Sequence, residues 1–318
     1  MKILVAVWAL SIVCAFAIGI LVGRSKGVPF VGRVSHWSIG VYIGESPLRL
    51  IPPKSTMNPV LTARDVTDIR ARYVADPFLV RIDNTYFMFF EALNGVDNKG
   101  DIALASSTYG FEWEYQKVVL DEPFHLSYPY VFEWEEDVYM VPESCEAGAV
   151  YLYRAVQFPT DWIRVAILLN GKFVDPSLLY YGELWWLFVG NTLNDTLRLY
   201  YSNTIFGPYA EHPQSPIILG DANVARPAGR VLSTGDQLIR YCQDDEPSYG
   251  SCVRAFRITQ LTPQNYREQA IEEPILEGTG QGWNADGMHH IDPYQIGEGE
   301  WIAVVDGLRT TYAFGLNY

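Results

Sequence analysis

The chain has 318 residues, enough to bury a full core, and half of them are hydrophobic while only 19% are charged, which excludes an intrinsically disordered protein. Aromatic residues make up 14%, with 21 Tyr, 15 Phe and 9 Trp, a usage that suits a β-rich globule better than a helical bundle. The net charge of −14 and the lack of any basic run argue against a nucleic-acid partner, whose phosphates would be repelled.

Ile3 to Gly23 carries no charge, and Arg24 and Lys26 follow it. Residues 1–26 therefore read as a hydrophobic helix long enough to span a bilayer, a transmembrane signal anchor. The rival is a signal peptide cleaved near Ala15-Phe16-Ala17. Either reading predicts export of residues 27–318: a membrane-anchored protein with an extracytoplasmic or luminal domain, or alternatively a secreted one.

Five segments then repeat one plan, in which a short apolar strand holds an early proline, a polar turn follows, and an aromatic-rich strand comes next. They are Ala75-Asp76-Pro77-Phe78 with Tyr86 to Glu91, Ser127-Tyr128-Pro129-Tyr130 with Val138 to Glu143, Val174-Asp175-Pro176-Ser177 with Trp185 to Gly190, Ala225-Arg226-Pro227-Ala228-Gly229 with Leu238 to Gln243, and Ile291-Asp292-Pro293-Tyr294 with Trp301 to Asp306. The prolines at 77, 129, 176, 227 and 293 lie 52, 47, 51 and 66 residues apart, each interval the length of a four-stranded propeller blade with its loops.

Third strands are predicted at Ile102 to Ser107, Val150 to Ala155, Leu197 to Ser202 and Ser251 to Ile258. Fourth strands are predicted at Phe111 to Leu120, Trp162 to Leu169, Tyr209 to Ile218 and Tyr266 to Leu276. The fifth blade runs out of chain, and Trp37 to Ile43 is predicted to complete it, hiding the sheet edges that an open array would expose. The expected fold is all-β, a five-bladed β-propeller over residues 27–318 preceded by an N-terminal hydrophobic helix.

First strands of propeller blades line the axis, so Asp76, Tyr128, Asp175, Arg226 and Asp292 should converge. His289 and His290 precede the fifth strand, and Glu91 and Glu143 close second strands. Carboxylates gathered round an axis perturb one another's ionisation and suit acid–base cleavage of a glycoside. The alternative role for aspartate before proline is ordinary turn capping, and the two histidines could be packed channel residues or metal ligands. No metal is expected at the site, and no cofactor: GxSxG, P-loop and HExxH motifs do not occur.

Cys14 lies in the apolar segment; Cys242 and Cys252 fall on neighbouring strands and are predicted to form a disulfide, with Cys145 unpaired. Asn194-Asp195-Thr196 is a formal glycosylation sequon.

Asp76-Pro77-Phe78 with Tyr86 to Glu91, and Val174 to Leu178 with Trp185 to Phe188, resemble the first and third blades of the family-43 arabinanase and xylosidase propellers. That resemblance implies a general base at Asp76 and, at Asp175, a residue that tunes the acid. The fourth blade departs from it: Arg226 stands where that family places its general-acid glutamate, which leaves Glu143 as the provisional acid and Glu91 as a second candidate. A likeness covering nearly the whole chain after residue 26 rests on His36 to Gly40, Val74 to Phe78, Leu126 to Pro129, Val141 to Ser144, Ala225 to Gly229 and His289 to Asp292. These resemble the amino-terminal propeller of glucosamine inositolphosphorylceramide transferases and its bacterial stand-alone relatives. Two functions follow as expectations. One is a glycoside hydrolase acting on an extracytoplasmic oligosaccharide or glycoconjugate through Asp76, Asp175 and Glu143, with Glu91, Tyr128, Arg226, His289, His290 and Asp292 binding substrate. The other is a non-catalytic glycan-binding or accessory domain of a membrane glycosyltransferase system.

Overall fold

The computed structural model describes Trp8 and residues 11–16, 31–235 and 237–314. It divides into two units, residues 1–35 with 310–318, and residues 36–309. In the first, Trp8 and residues 11–16 are helical, and Arg33 Nη2 donates to Thr310 Oγ1 at 3.2 Å. Most of the segment expected as a membrane anchor lies outside the described residues, and among the described residues no helix is long and apolar enough to cross a membrane.

The second unit is a five-bladed β-propeller. Blade one comprises Ala71–Ile82, Thr85–Asn94, Lys99–Ser107 and Glu114–Leu120, in that order from the axis outward. Blade two comprises Ser127–Trp134, Asp137–Glu143, Ala149–Gln157 and Asp161–Asn170. Blade three has Val174–Tyr181, Leu184–Gly190 and Thr196–Ser202, with Ala210–Glu211 and Ile218–Leu219 both pairing the third strand. The predicted fourth strand at Tyr209 to Ile218 is thus two short pieces, and the one at Tyr266 to Leu276 likewise resolves into Tyr266–Ala270 and Leu276–Glu277.

Blade four departs most from its siblings. Its second and third strands, Leu238–Asp244 and Cys252–Leu261, are regular, but its inner strand is only Leu232–Ser233. Pro227 reaches Cys242 through a single bridge, and Gly229 crosses to Ile291 of blade five. Gly229 has φ +142, and a Cβ there would sit 1.8 Å from Ile291 O, so the two inner segments approach backbone to backbone and only glycine fits.

Blade five closes the ring as the sequence predicts: Ile291–Gly297 pairs with Glu300–Phe314, which pairs with Val31–Ser46, and Arg49–Ile51 completes the sheet. All five prolines mark different blades. Aromatic side chains facing out of each sheet pack against the next blade: Phe89 meets Trp162 at 5.5 Å, Phe132 meets Trp185 at 5.7 Å, and Phe188 meets Tyr266 at 6.1 Å between ring centroids. Burial of such a ring contributes up to about 1.5–3 kcal/mol, so inter-blade packing is a large part of the core.

The predicted disulfide does not form: Cys242 and Cys252 are both free. In the hairpin register Cys242 faces Arg254 while Cys252 faces Asp244, so the two thiols sit two residues out of step.

Candidate functional site

The inner strands of blades one, two and three share a distortion at the proline. Ala75 pairs with Glu91 but Phe78 pairs with Phe89, so three steps on one strand span two on the other; the same slip recurs from Ser127 to Tyr130 and from Val174 to Ser177. The extra residue takes up a left-handed conformation, with φ +52 at Asp76, +46 at Tyr128 and +48 at Asp175. Non-glycine residues rarely hold this backbone, and such strain concentrates at functional sites.

Each bulge turns a main-chain N–H toward a carboxylate of the preceding blade. Asp76 N–H donates to Asp306 Oδ2 (3.1 Å), Tyr128 N–H to Asp76 Oδ2 (3.3 Å), and Asp175 N–H to Glu143 Oε2 (3.4 Å). Three bulges and three carboxyl groups thus form a relay in two runs around the axis, Asp306–Asp76–Tyr128 and Glu143–Asp175. The Tyr128 ring points elsewhere: its hydroxyl donates to Gly229 O (2.8 Å), accepts from Gly229 N–H (2.7 Å) and meets Ser177 Oγ, tying blades two, three and four together.

Blade five has no bulge at its proline. Ile291, Asp292 and Pro293 pair one-for-one with Val305, Val304 and Ala303, so Asp292 lies one tier away from the relay. Its Oδ1 accepts from Arg230 Nε (2.8 Å) and its Oδ2 from Leu79 N–H (2.7 Å), while Arg230 Nη2 also donates to the carbonyls of Leu79 and Val131. Expected to bind substrate, Asp292 is instead half of a buried structural ion pair with Arg230.

The fifth blade contributes histidines in its place. His289 Nδ1 donates to Asp306 (2.8 Å), and Asp306 Oδ1 also accepts the N–H groups of His289 and His290. Burial alone would depress the His289 pKa, but the Asp306 carboxylate outweighs it and raises the group to about 9, so the ring is cationic at neutral pH. Its Nε2 stands 3.6 Å from Asp76 Oδ1, and the ring stacks on Trp37 at 4.1 Å. His290 is buried between Phe78 and Tyr128, and burial pushes it down to about 4, leaving it neutral. Asp76, His289 and Asp306 each offer a ligand atom within 4.8 Å of the others; their hydrogen bonds to one another and to main-chain N–H groups account for the grouping.

Asp175 is held by Arg226, which donates from Nε to Oδ2 (2.5 Å) and from Nη2 to Oδ1 (3.4 Å), and by Gln243 Nε2 at 2.9 Å. Arg226 Nη1 donates to Asn194 Oδ1, Nη2 lies 3.7 Å from Glu143, and Tyr249 sits under the guanidinium at 5.2 Å. Asn194, the sequon residue, is thus bonded into the site.

The carboxyl groups differ in ionisation. Burial raises Asp76 to about 7; the His289 imidazolium works against this, and Asp175 and Asp306 reinforce it. Burial, then Asp175, holds Glu143 well above the usual carboxyl range despite Arg226. Glu91 is held high by burial and then by Asp76 and Glu143. Three carboxyls raised by burial therefore share the site with an Asp175 locked by Arg226. The structure brings together Asp76, Asp175, Glu143, Glu91, Arg226, His289 and His290, adds Asp306, Gln243, Asn194, Tyr249, Tyr73 and His125, and leaves Asp292 apart.

Fold and site together define a class: a five-bladed propeller with an acidic, arginine-locked axial site. Residues 33–308 match the family described as glucosamine inositolphosphorylceramide transferase 1, N-terminal, and the chain belongs to that family. It is 38% identical over 297 residues to glucosamine inositolphosphorylceramide transferase 1 of Oryza sativa subsp. japonica, covering 86% of this chain and 40% of the relative. The Arabidopsis thaliana protein of that name is 34% identical over 324 residues, covering 89% and 42%. The chain thus spans about two fifths of the curated relatives it matches.

Among solved structures, the β-1,2-mannobiose phosphorylase of Listeria innocua superposes with a TM-score of 0.61 at 12% identity, over 84% of this chain and 96% of that one. The catalytic domain of the Coprinopsis cinerea GH62 α-L-arabinofuranosidase gives 0.56 at 14%, over 86% and 96%. At such identity these likenesses establish the fold.

Proposed function

We propose that the axial site binds a glycoconjugate and cleaves a glycosidic bond, with Glu143 as general acid, Asp76 as general base and Asp175 tuning the acid. Glu143 gives its proton to the leaving oxygen while Asp76 takes one from the attacking water. What carries this reading is that two carboxyls of one site sit in different surroundings: Glu143, whose Oε2 accepts the Asp175 N–H, is held well above the usual carboxyl range by burial, whereas Asp76, beside the His289 ring, is raised by burial to about 7. Environments that push two carboxyl groups apart define acid and base. The uncharged stretch Ile3 to Gly23 supports a membrane-anchored protein with its propeller outside the cytoplasm or in a lumen.

One observation favours a second reading. Arg226 occupies the position of the acid glutamate in the hydrolase propellers and engages both oxygens of Asp175, which fits a site that binds sugar without cleaving it, in the service of a membrane glycosyltransferase. Incubating the purified protein with a panel of aryl glycosides and, in parallel, on a glycan array separates the two. Turnover supports the hydrolase; glycan binding with no turnover supports the accessory domain; neither sinks both.

A further inference from the structure

Glu91 lies on the second strand of blade one, is 4% exposed, and one of its oxygens is approached by two hydrogen-bearing groups. Tyr73 O–H donates to Glu91 Oε1 at 3.3 Å. His125 Nε2 stands 3.4 Å from the same oxygen. Which nitrogen of His125 carries the proton is fixed from the other side of the ring, because Nδ1 accepts Gly100 N–H at 2.9 Å. Burial keeps the ring neutral, so its one hydrogen is on Nε2. Gly100 is what allows this approach: a Cβ there would fall 2.8 Å from His125 Cε1 and 2.9 Å from Glu91 Oε1.

Oε1 therefore faces two donors and has no room for a proton of its own. The charged groups that act on the carboxyl electrostatically are acidic: Asp76, Glu143 and Asp175. We propose that Tyr73 and His125 are positioning residues that hold Oε1 as the acceptor oxygen of the buried Glu91 acid, so that its proton lies on Oε2, a hydrogen-bond donor reserved for an ether oxygen of a bound glycoside. A ring or glycosidic oxygen only accepts hydrogen bonds, so a carboxylate could not serve it. A neutral acid can. The ligand half of this inference rests on the glycan reading above; the state of Glu91 does not.

The test needs no substrate. Infrared difference spectra of the full chain at pH 7, wild type minus Glu91→Gln, should show loss of one protonated-carboxyl C=O band. Tyr73→Phe and His125→Phe should each keep that band and move it to higher frequency, because each removes a donor from Oε1; a residue that merely fills space would not shift it. Nitrogen-15 spectra should show His125 protonated on Nε2 alone. Loss of a carboxylate band in the Glu91→Gln difference, an unmoved band in both positioning variants, or a proton on Nδ1 would overturn the proposal. If Glu91→Gln fails to fold, the band shift in Tyr73→Phe still decides. Absence of both glycan turnover and glycan binding with the neutral-acid band present would remove the ligand half while leaving the Glu91 assignment standing.

Discussion

Arg226 and Asp175 form a forked ion pair across the boundary between blades four and three, Nε to Oδ2 at 2.5 Å and Nη2 to Oδ1 at 3.4 Å, with the carboxylate side chain 1% exposed. A guanidinium so engaged is more than a ligand-binding rim residue. Arg226→Ala strands a buried carboxylate and should cost about 3–5 kcal/mol of stability, whereas Arg226→Lys, keeping the charge and losing the fork, should cost less. Urea unfolding of both variants checks this; an Arg226→Ala protein as stable as wild type would show that the pair contributes nothing.

Stability should fall as pH rises, in two stages. Asp76 is raised from its unfolded range to about 7, so its contribution is complete below about pH 4 and is lost as pH climbs through 7. His289 is raised to about 9, so its contribution is complete below about pH 6.5 and is lost as pH climbs through 9. Asp76→Asn should flatten the first stage and His289→Gln the second, in denaturant midpoints measured from pH 4 to 10. A wild-type midpoint constant across that range would contradict both assignments.

The Arg230–Asp292 pair lies apart from the relay and should behave as structure alone. Arg230→Met, which leaves Asp292 buried without its partner, should cost about 3–5 kcal/mol. The pH dependence of any turnover should stay where it is in the wild type. A displaced pH profile in this variant would return Asp292 to the site.

Gly100→Ala tests the close approach beside Glu91. The new Cβ would meet Leu126 O at 2.3 Å as well as the His125 ring and Glu91. Since Leu126 N–H also donates to Gly100 O at 2.9 Å, the backbone is held from both sides and the methyl should cost about 1–3 kcal/mol or more. Thermal denaturation against wild type is the check, and an unchanged midpoint would show that the loop yields freely.

The repeat was legible because prolines at blade-length intervals are a covalent signal that survives loop variation, and the closing strand followed from the missing edge of blade five. Asp76, Asp175 and Glu143 were legible by the same route. Asp292 misled because the dipeptide is identical to that at Asp76 and Asp175 while the bulge that places those aspartates is absent, a difference of hairpin register with no local residue code. Asp306 and Gln243 close the second strands as read from the sequence just as Glu91 and Glu143 do, and that parallel was available there. Tyr73, His125, Asn194, Tyr249 and Arg230 reach the axis from loops and strand ends through contacts between blades, and nothing in their neighbours' identity announces it.

Turnover of Asp76→Asn and Glu143→Gln on two aryl glycosides of one accepted sugar, one with a good leaving group and one with a poor one, tests the acid–base assignment most directly. Removing the base should lower turnover by about 10²–10⁴ on both substrates. Removing the acid should cost that much only on the poor leaving group, because a good one departs without a proton. Wild-type turnover in Asp76→Asn, or equal losses on both substrates in Glu143→Gln, would contradict the assignment.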